Sequence, residues 1–189
     1  MQTHADTGVE SLSSRLDGVS IAVGVCGGIG AVEVVKIIRQ LRRHGARVTA
    51  FMTPDSLQFV TELSVSWACE TSAIVHPSAR VEHLQSYDIA LIVPATLNTI
   101  SKCALALCDN VVTLMVATHL GRRRPLVFVP SMHEDLKNHP LYSFHRDQLA
   151  AWGAQFLESS PAEGKIKVPL VDNIVGAVIE LWGAQCPKR

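Results

Sequence analysis

Five short apolar runs constrain this chain more than any other feature: residues 19–25 (VSIAVGV), 47–52 (RVTAFM), 89–93 (IALIV), 126–129 (LVFV) and 154–157 (AQFL). None shows the polar–apolar alternation of a half-exposed strand, so each reads as a strand buried on both faces. That is the pattern of a parallel sheet covered by helices on either side. Helical segments fall between them. Val32, Val34, Val35, Ile37, Ile38 and Leu41 recur at helical spacing with Lys36, Arg39, Arg42 and Arg43 between them, and Gly45 stops the pattern. Further helices are expected over 55–63 (after Thr53-Pro54), 98–108, 142–152 (with Gly153 behind) and 172–182 (capped by Asp172). Residues 111–118 (VVTLMVAT) read as a strand by propensity and equally as a buried helix.

Strand–helix alternation predicts an α/β fold: a Rossmann-like or flavodoxin-like doubly wound parallel sheet, three-layer α-β-α, in a single domain over 19–185. Residues 1–18 are expected to form a flexible N-terminal tail. Hydrophobic residues at 48% supply a sizeable core. Seventeen basic residues balance seventeen acidic ones, so no global field favours nucleic acid or an anionic membrane. The one dense cationic run, Arg122-Arg123-Arg124, reads as a solvated loop. No apolar run reaches the ~18 residues of a membrane span, and residues 1–17 lack the apolar centre of a secretory signal. The five cysteines form no CxxC pair. They are expected to be reduced thiols in a cytoplasmic protein, with no disulfide framework and no metal site.

In open α/β sheets, ligands collect at the carboxyl ends of the strands. The first strand is followed by Cys26-Gly27-Gly28-Ile29-Gly30, a turn whose backbone N–H groups can approach a phosphate. It also suits simple packing. It is not the dinucleotide fingerprint, because Glu33 occupies the third glycine position. The second strand leads to Thr53-Pro54-Asp55-Ser56, the third to Pro94-Ala95-Thr96-Leu97-Asn98-Thr99, and the fourth to Pro130-Ser131-Met132-His133-Glu134-Asp135-Leu136. Thr96 or Asn98 can cap the helix that follows. The same hydroxyls and amide can line a polar ring or phosphate.

Three of these segments resemble the marks of a known family. The Gly27-Gly28-Ile29 turn, the segment 94–99 and the segment 130–136 are similar to the Gly-rich turn, PASANT segment and PxMNxxMW clamp of the homo-oligomeric flavin-containing cysteine decarboxylases. Asp88, opening the third strand, and the Cys108-Asp109-Asn110 turn extend the resemblance. It implies a helix for 111–118. It implies FMN, with Gly27, Gly28, Ile29, Thr53 and Ser56 toward its phosphate, Thr96, Asn98 and Thr99 toward the flavin and ribityl chain, and Ser131 contributing main chain. It places Met132 and His133 against the substrate, and it implies a homotrimer or homododecamer. In such enzymes FMN oxidises a cysteine side chain toward a thioaldehyde, CO2 leaves and an enethiol remains.

The chain departs from that pattern at three points. The family's catalytic histidine lies eight residues before the acidic residue that opens the third strand; here Arg80 stands there, with His83 three residues later. His83 is expected to handle the proton, with Arg80 as its rival. The clamp asparagine is His133, and the clamp aromatic is replaced by His139-Pro140 or by nothing. An imidazole donates one hydrogen bond to a carboxylate, or two when protonated. Finally, phosphopantothenoylcysteine decarboxylases carry a late flap cysteine, whereas 159–169 contain none. The expected function is therefore FMN-dependent oxidative decarboxylation of a peptide's C-terminal cysteine to an enethiol. The alternatives are the phosphopantothenoylcysteine decarboxylase step of coenzyme A synthesis and a non-catalytic FMN-binding regulatory flavoprotein.

Overall fold

The computed structural model describes residues 6–79, 81–158 and 165–185. Five parallel strands, β1 (Ser20–Val25), β2 (Arg47–Met52), β3 (Ile89–Ala95), β4 (Leu126–Pro130) and β6 (Ala154–Phe156), form one sheet in the order β2-β1-β3-β4-β6. A two-residue strand β5 (Met132–His133) pairs antiparallel with β7 (Lys165–Ile166), so that Met132 faces Ile166 in register. The helices are α1 (Val34–Arg43), α2 (Glu62–Cys69), α3 (Leu97–Ala104), α4 (Val111–Gly121), α5 (Glu134–Lys137), α6 (Pro140–Ala151) and α7 (Val171–Gln185). Counting only the strands of the large sheet, the order is 2-1-3-4-5, the flavodoxin-like arrangement of a doubly wound sheet.

Two hydrophobic layers explain why the runs are unbroken. Ile21, Val23, Val25, Ile89, Leu91 and Val93 face one core with α1, α2 and α7. Ala22, Ala90, Ile92, Leu126 and Phe128 face the other with α3, α4 and α6. All seven residues of β3, the central strand, are buried. α1 buries Val34, Ile37, Ile38 and Leu41, and the chain turns away through Gly45 at φ +96°. Residues 111–118 are helical, as the family resemblance implied against propensity. The cause is a capping box: Asn110 Oδ1 accepts from the N–H groups of Val112 (3.0 Å) and Thr113 (3.1 Å), and Thr113 Oγ1 accepts from the Asn110 N–H.

Several expectations are corrected. The helix expected over 55–63 is a short 3-10 turn at Pro54–Gln58, and α2 starts only at Glu62. Thr61 is extended and its side chain accepts from the Ser64 N–H, so the cap lies seven residues after Pro54. Asp172 lies inside the first turn of α7 and accepts from Gln40 Nε2 instead of capping. The described part of the segment expected as a free tail is tied down. Leu16 is fully buried, the Leu12 and Leu16 N–H groups donate to the carbonyls of Arg43 and His44, and Arg39 and Arg42 donate to Thr7 O. Arg122 is no free loop cation either, because its guanidinium donates to the carbonyls of Leu84 and Gln85.

His119, on α4, is buried with Nε2 2.8 Å from Pro125 O. Burial pushes its basicity below the ordinary imidazole range, with Arg124 and Arg122 adding to the shift and the Pro125 carbonyl and Asp88 opposing it. The unfolded chain therefore takes up this proton more readily than the folded one. Stability is complete above the ordinary value of 6.5 and falls as pH drops below it toward the folded value. Urea unfolding midpoints across this range should fall less steeply in His119→Gln than in the parent.

Candidate functional site

The strand order reverses between β1 and β3, and a cleft of about 1350 Å³ opens at the carboxyl ends of the sheet strands. Gly27–Gly30 after β1, Thr53–Asp55 after β2, Thr96–Thr99 after β3 and Ser131–His133 after β4 line it together. Of the expected cofactor residues, only Ser56 is missing from this wall. It is fully buried, and its hydroxyl donates to Thr53 O at 2.7 Å, so it fixes its neighbour instead of facing the cleft.

Thr53 is the most informative residue. Its N–H donates to Val25 O at 2.9 Å and its carbonyl accepts from the Ser56 N–H, which pins the backbone between two strand ends. Its Oγ1 is buried and has no hydrogen-bond partner among the described residues. A buried hydroxyl left unsatisfied costs roughly 1–3 kcal/mol, which a bound acceptor would relieve. Opposite it, a Cβ at Gly27 would come within 2.5 Å of Asp55 Cβ and 3.0 Å of its backbone carbon, so no side chain fits between the two loops. No side chain caps the 3-10 turn Ile29–Glu33 that follows. An orphaned hydroxyl and an uncapped glycine turn in one corner suit an anionic phosphate.

Beyond that corner the surface becomes neutral. Thr96 Oγ1 caps α3 by accepting from the Thr99 N–H and donates to Thr99 Oγ1 at 3.2 Å. Thr99 is buried, while Asn98 is exposed and its amide makes no hydrogen bond to the described residues. The Ser131 N–H donates to Ala95 O. Met132 is buried in β5, whereas His133 is exposed. His133 Nδ1 accepts from the Asp135 N–H at 3.3 Å and lies 3.1 Å from Asp135 Oδ2. The neutral ring thus caps α5 and carries its proton on Nε2, and the protonated ring pairs with Asp135. His139 caps α6 in the same way, with Nδ1 accepting from the Leu141 N–H.

The described lining of the cleft contains no residue between 76 and 86; His76, Glu82 and Gln85 line a separate hollow with Tyr87. Arg80 lies outside the described residues. The backbone of His83 lies in a 3-10 turn at Glu82–Leu84. The far wall of the cleft adds Ser101, Leu105, Leu141, His145 and 167–171, to which sequence reasoning gave no role, beside Asp109, Asn110 and Leu136, which it had noted only as parts of the resemblance. One signal was available for His145. It shares the inward face of α6 with Tyr142 and Leu149, and a polar ring on an apolar stripe asks for a partner.

The four described cysteines are free thiols, and Cys186 lies outside the described residues. Cys26 is pushed up to about 11 and Cys69 up to about 12 by burial, and burial raises Cys103 further. Cys108 is the one exposed thiol among the described residues. A chromogenic disulfide reagent should therefore modify Cys108 rapidly in the native protein and Cys26, Cys69 and Cys103 only on unfolding. Cys108→Ser should remove that part of the fast phase. No cluster of metal-ligating side chains occurs among the described residues, and no described helix is long and apolar enough to cross a membrane.

A family model described as Flavoprotein matches residues 9–183. The coenzyme A biosynthesis bifunctional protein CoaBC of Thermococcus kodakarensis is 33% identical over 174 residues, covering 88% of this chain and 43% of that protein. The chain thus spans less than half of that relative. Among solved structures, the FMN-dependent cysteine decarboxylase SpaF superimposes with a TM-score of 0.74 at 23% identity, over 87% of this chain and 98% of the other. A PPC decarboxylase mutant complexed with pantothenoylaminoethenethiol gives 0.73 at 21% identity, over 87% and 98%. At these identities the structural likeness establishes the fold.

Proposed function

Because the chain belongs to the Flavoprotein family, we propose that it binds FMN in the cleft and decarboxylates a substrate ending in cysteine. The observation that carries this reading is the meeting of all four strand-end loops in one cleft with an orphaned Thr53 hydroxyl in its corner. Thr53 and the Gly27–Ile29 turn hold the phosphate. Asn98, whose amide has no other task, meets the polar edge of the ring, and the Ser131 main chain closes the opposite side. When bound, FMN supplies two-electron oxidation of the cysteine side chain, which makes the adjacent carbon–carbon bond labile.

The chain's residues supply binding and proton control. Met132 packs the substrate against the β5–β7 ribbon, and His133 offers Nε2–H to the carboxylate. With FMN bound to take the hydride, that oxidation would remove it from the carbon next to sulfur and release the thiol proton to water. Loss of CO2 then returns the electron pair to sulfur, leaving an enethiolate that takes one proton. His83 is assigned that proton transfer, with Arg80 as the competing residue.

A peptide substrate is favoured by the absence of cysteine from 159–169, which suits a reaction that stops at the enethiol. The likeness to CoaBC favours phosphopantothenoylcysteine. Mass spectrometry after adding each substrate to FMN-loaded protein separates them: a loss of about 46 Da (CO2 and two hydrogens) marks the oxidative route and about 44 Da the redox-neutral one. No loss with either, from protein that holds FMN, would leave a non-catalytic flavoprotein. Ile29, Leu141 and Phe144, apolar and roughly half or more exposed, stand at or beside the cleft. A homotrimer that covers them is part of this reading, and light scattering at micromolar concentration should return a trimer or a multiple of it.

A further inference from the structure

Ser101 and His145 form a pair on the far wall of the cleft, away from the phosphate corner and outside the Pro130 segment. His145 is 4% exposed yet lines the cleft, and its Nδ1 lies 3.0 Å from Ser101 Oγ. The Ser101 hydroxyl has no other partner among the described residues. The pair is taken with Ser101 Oγ–H donating to Nδ1, the tautomer in which the other ring nitrogen carries the proton. That fixes the neutral imidazole with its own proton on Nε2. No second partner for the ring exists among the described residues; the Phe144 ring only flanks it, at 5.9 Å and 60°. A nearly buried imidazole with its tautomer set and its remaining N–H unused is a donor awaiting an acceptor.

Resting on the decarboxylase reading above, we infer that His145 Nε2–H binds the amide carbonyl that precedes the substrate's terminal cysteine, with Ser101 holding the tautomer. The chemistry of the wall selects this group. Leu105, Leu136 and Leu141 line it, and neither of its lysines is free: Lys102 pairs with Asp109, and Lys167 has a partner of its own. A neutral fixed donor in such surroundings suits a neutral acceptor, whereas a carboxylate calls for the His133 side. Peptidyl and pantothenoyl substrates both carry a carbonyl at this position, so the contact would orient either class toward the flavin.

The test uses FMN-loaded protein, a tripeptide ending in cysteine, and the same peptide with a reduced CH2–NH link before the cysteine. His145→Phe should raise KM for the normal peptide about tenfold, with kcat changed less than about twofold and FMN affinity unchanged. His145→Gln, whose amide N–H lies near the Nε2 position, should recover most of the loss. Ser101→Ala should give a partial loss, which Ser101→Thr restores. The reduced peptide should bind the parent weakly and show no further loss in His145→Phe. Equal losses in His145→Phe and His145→Gln, a further loss with the reduced peptide, or FMN release on substitution would each overturn the inference. Binding of a serine-terminated peptide, followed by flavin absorbance, separates this from the reaction itself. If the parent turns over no cysteinyl substrate but binds that peptide through His145, the decarboxylase reading falls and the subsite stands. If the parent binds no such peptide, the subsite falls.

Discussion

Thr53→Val is expected to move two measurements in opposite directions. In FMN-free protein the threonine hydroxyl is buried without a partner. Replacing it by a methyl group should stabilise that form by about 1 kcal/mol, a rise in melting temperature of roughly 2–4 °C for a chain of this size. On the proposed reading the same hydroxyl would meet a charged phosphate oxygen in the FMN complex, a hydrogen bond of about 1.5–3 kcal/mol, so affinity should fall about 10–100-fold. Gly27→Val should have the larger effect on binding. Its Cβ alone would lie 2.5 Å from Asp55 Cβ, so the two phosphate loops must separate, and affinity should fall by about 100-fold or more. Fluorescence titration with FMN and thermal melts of the stripped protein measure both. A Thr53→Val protein that melts lower without FMN, or binds FMN as the parent does, would show that the hydroxyl serves packing and that the phosphate lies elsewhere.

The sheet was legible because a strand buried on both faces needs an unbroken apolar run, and five such runs are spaced by helix-length intervals. β2 matches its expected limits of 47–52, and β3 and β4 differ only by continuing into Pro94-Ala95 and Pro130. The misreadings lie where capping decides the outcome. Pro54 and Thr61 are both acceptable helix starts, and only the hydrogen bond from the Ser64 N–H shows which of them begins a full α-helix. The sequence of 111–118 favours a strand until the Asn110–Thr113 capping box is seen to fix it as helix.

At the site, the loops were legible because strand ends collect ligands and the glycine, PASANT-like and Pro130 segments are local in sequence. Ser56 misled because hydroxyls at strand ends can serve the backbone as well as a ligand, and this one donates to Thr53 O. His145 and Ser101 were missed for the opposite reason. They lie 44 residues apart and meet only because α3 packs on α6, a contact that no local pattern encodes.

His83→Asn is expected to have the largest effect on turnover. Decarboxylation should fall by at least about 100-fold, the usual contribution of a positioned proton-transfer group, while FMN stays bound because the phosphate corner is built from other segments. The turn that carries His83 is held by α4: Arg122, at its end, donates from Nη1 to Gln85 O at 2.8 Å and from Nη2 to Leu84 O at 2.6 Å. Two charge-assisted hydrogen bonds to consecutive carbonyls fix the backbone that carries the histidine. Arg122→Ala should therefore lower kcat several-fold without touching FMN affinity, and Arg122→Lys, which cannot reproduce the fork, should restore little. Single-turnover kinetics on FMN-loaded variants separates this from substrate binding, because losing a proton-transfer group slows the chemical step even when substrate saturates. If Arg80→Gln abolishes turnover and His83→Asn does not, the arginine holds the working position, and the Arg122 anchor then serves the loop that presents Arg80.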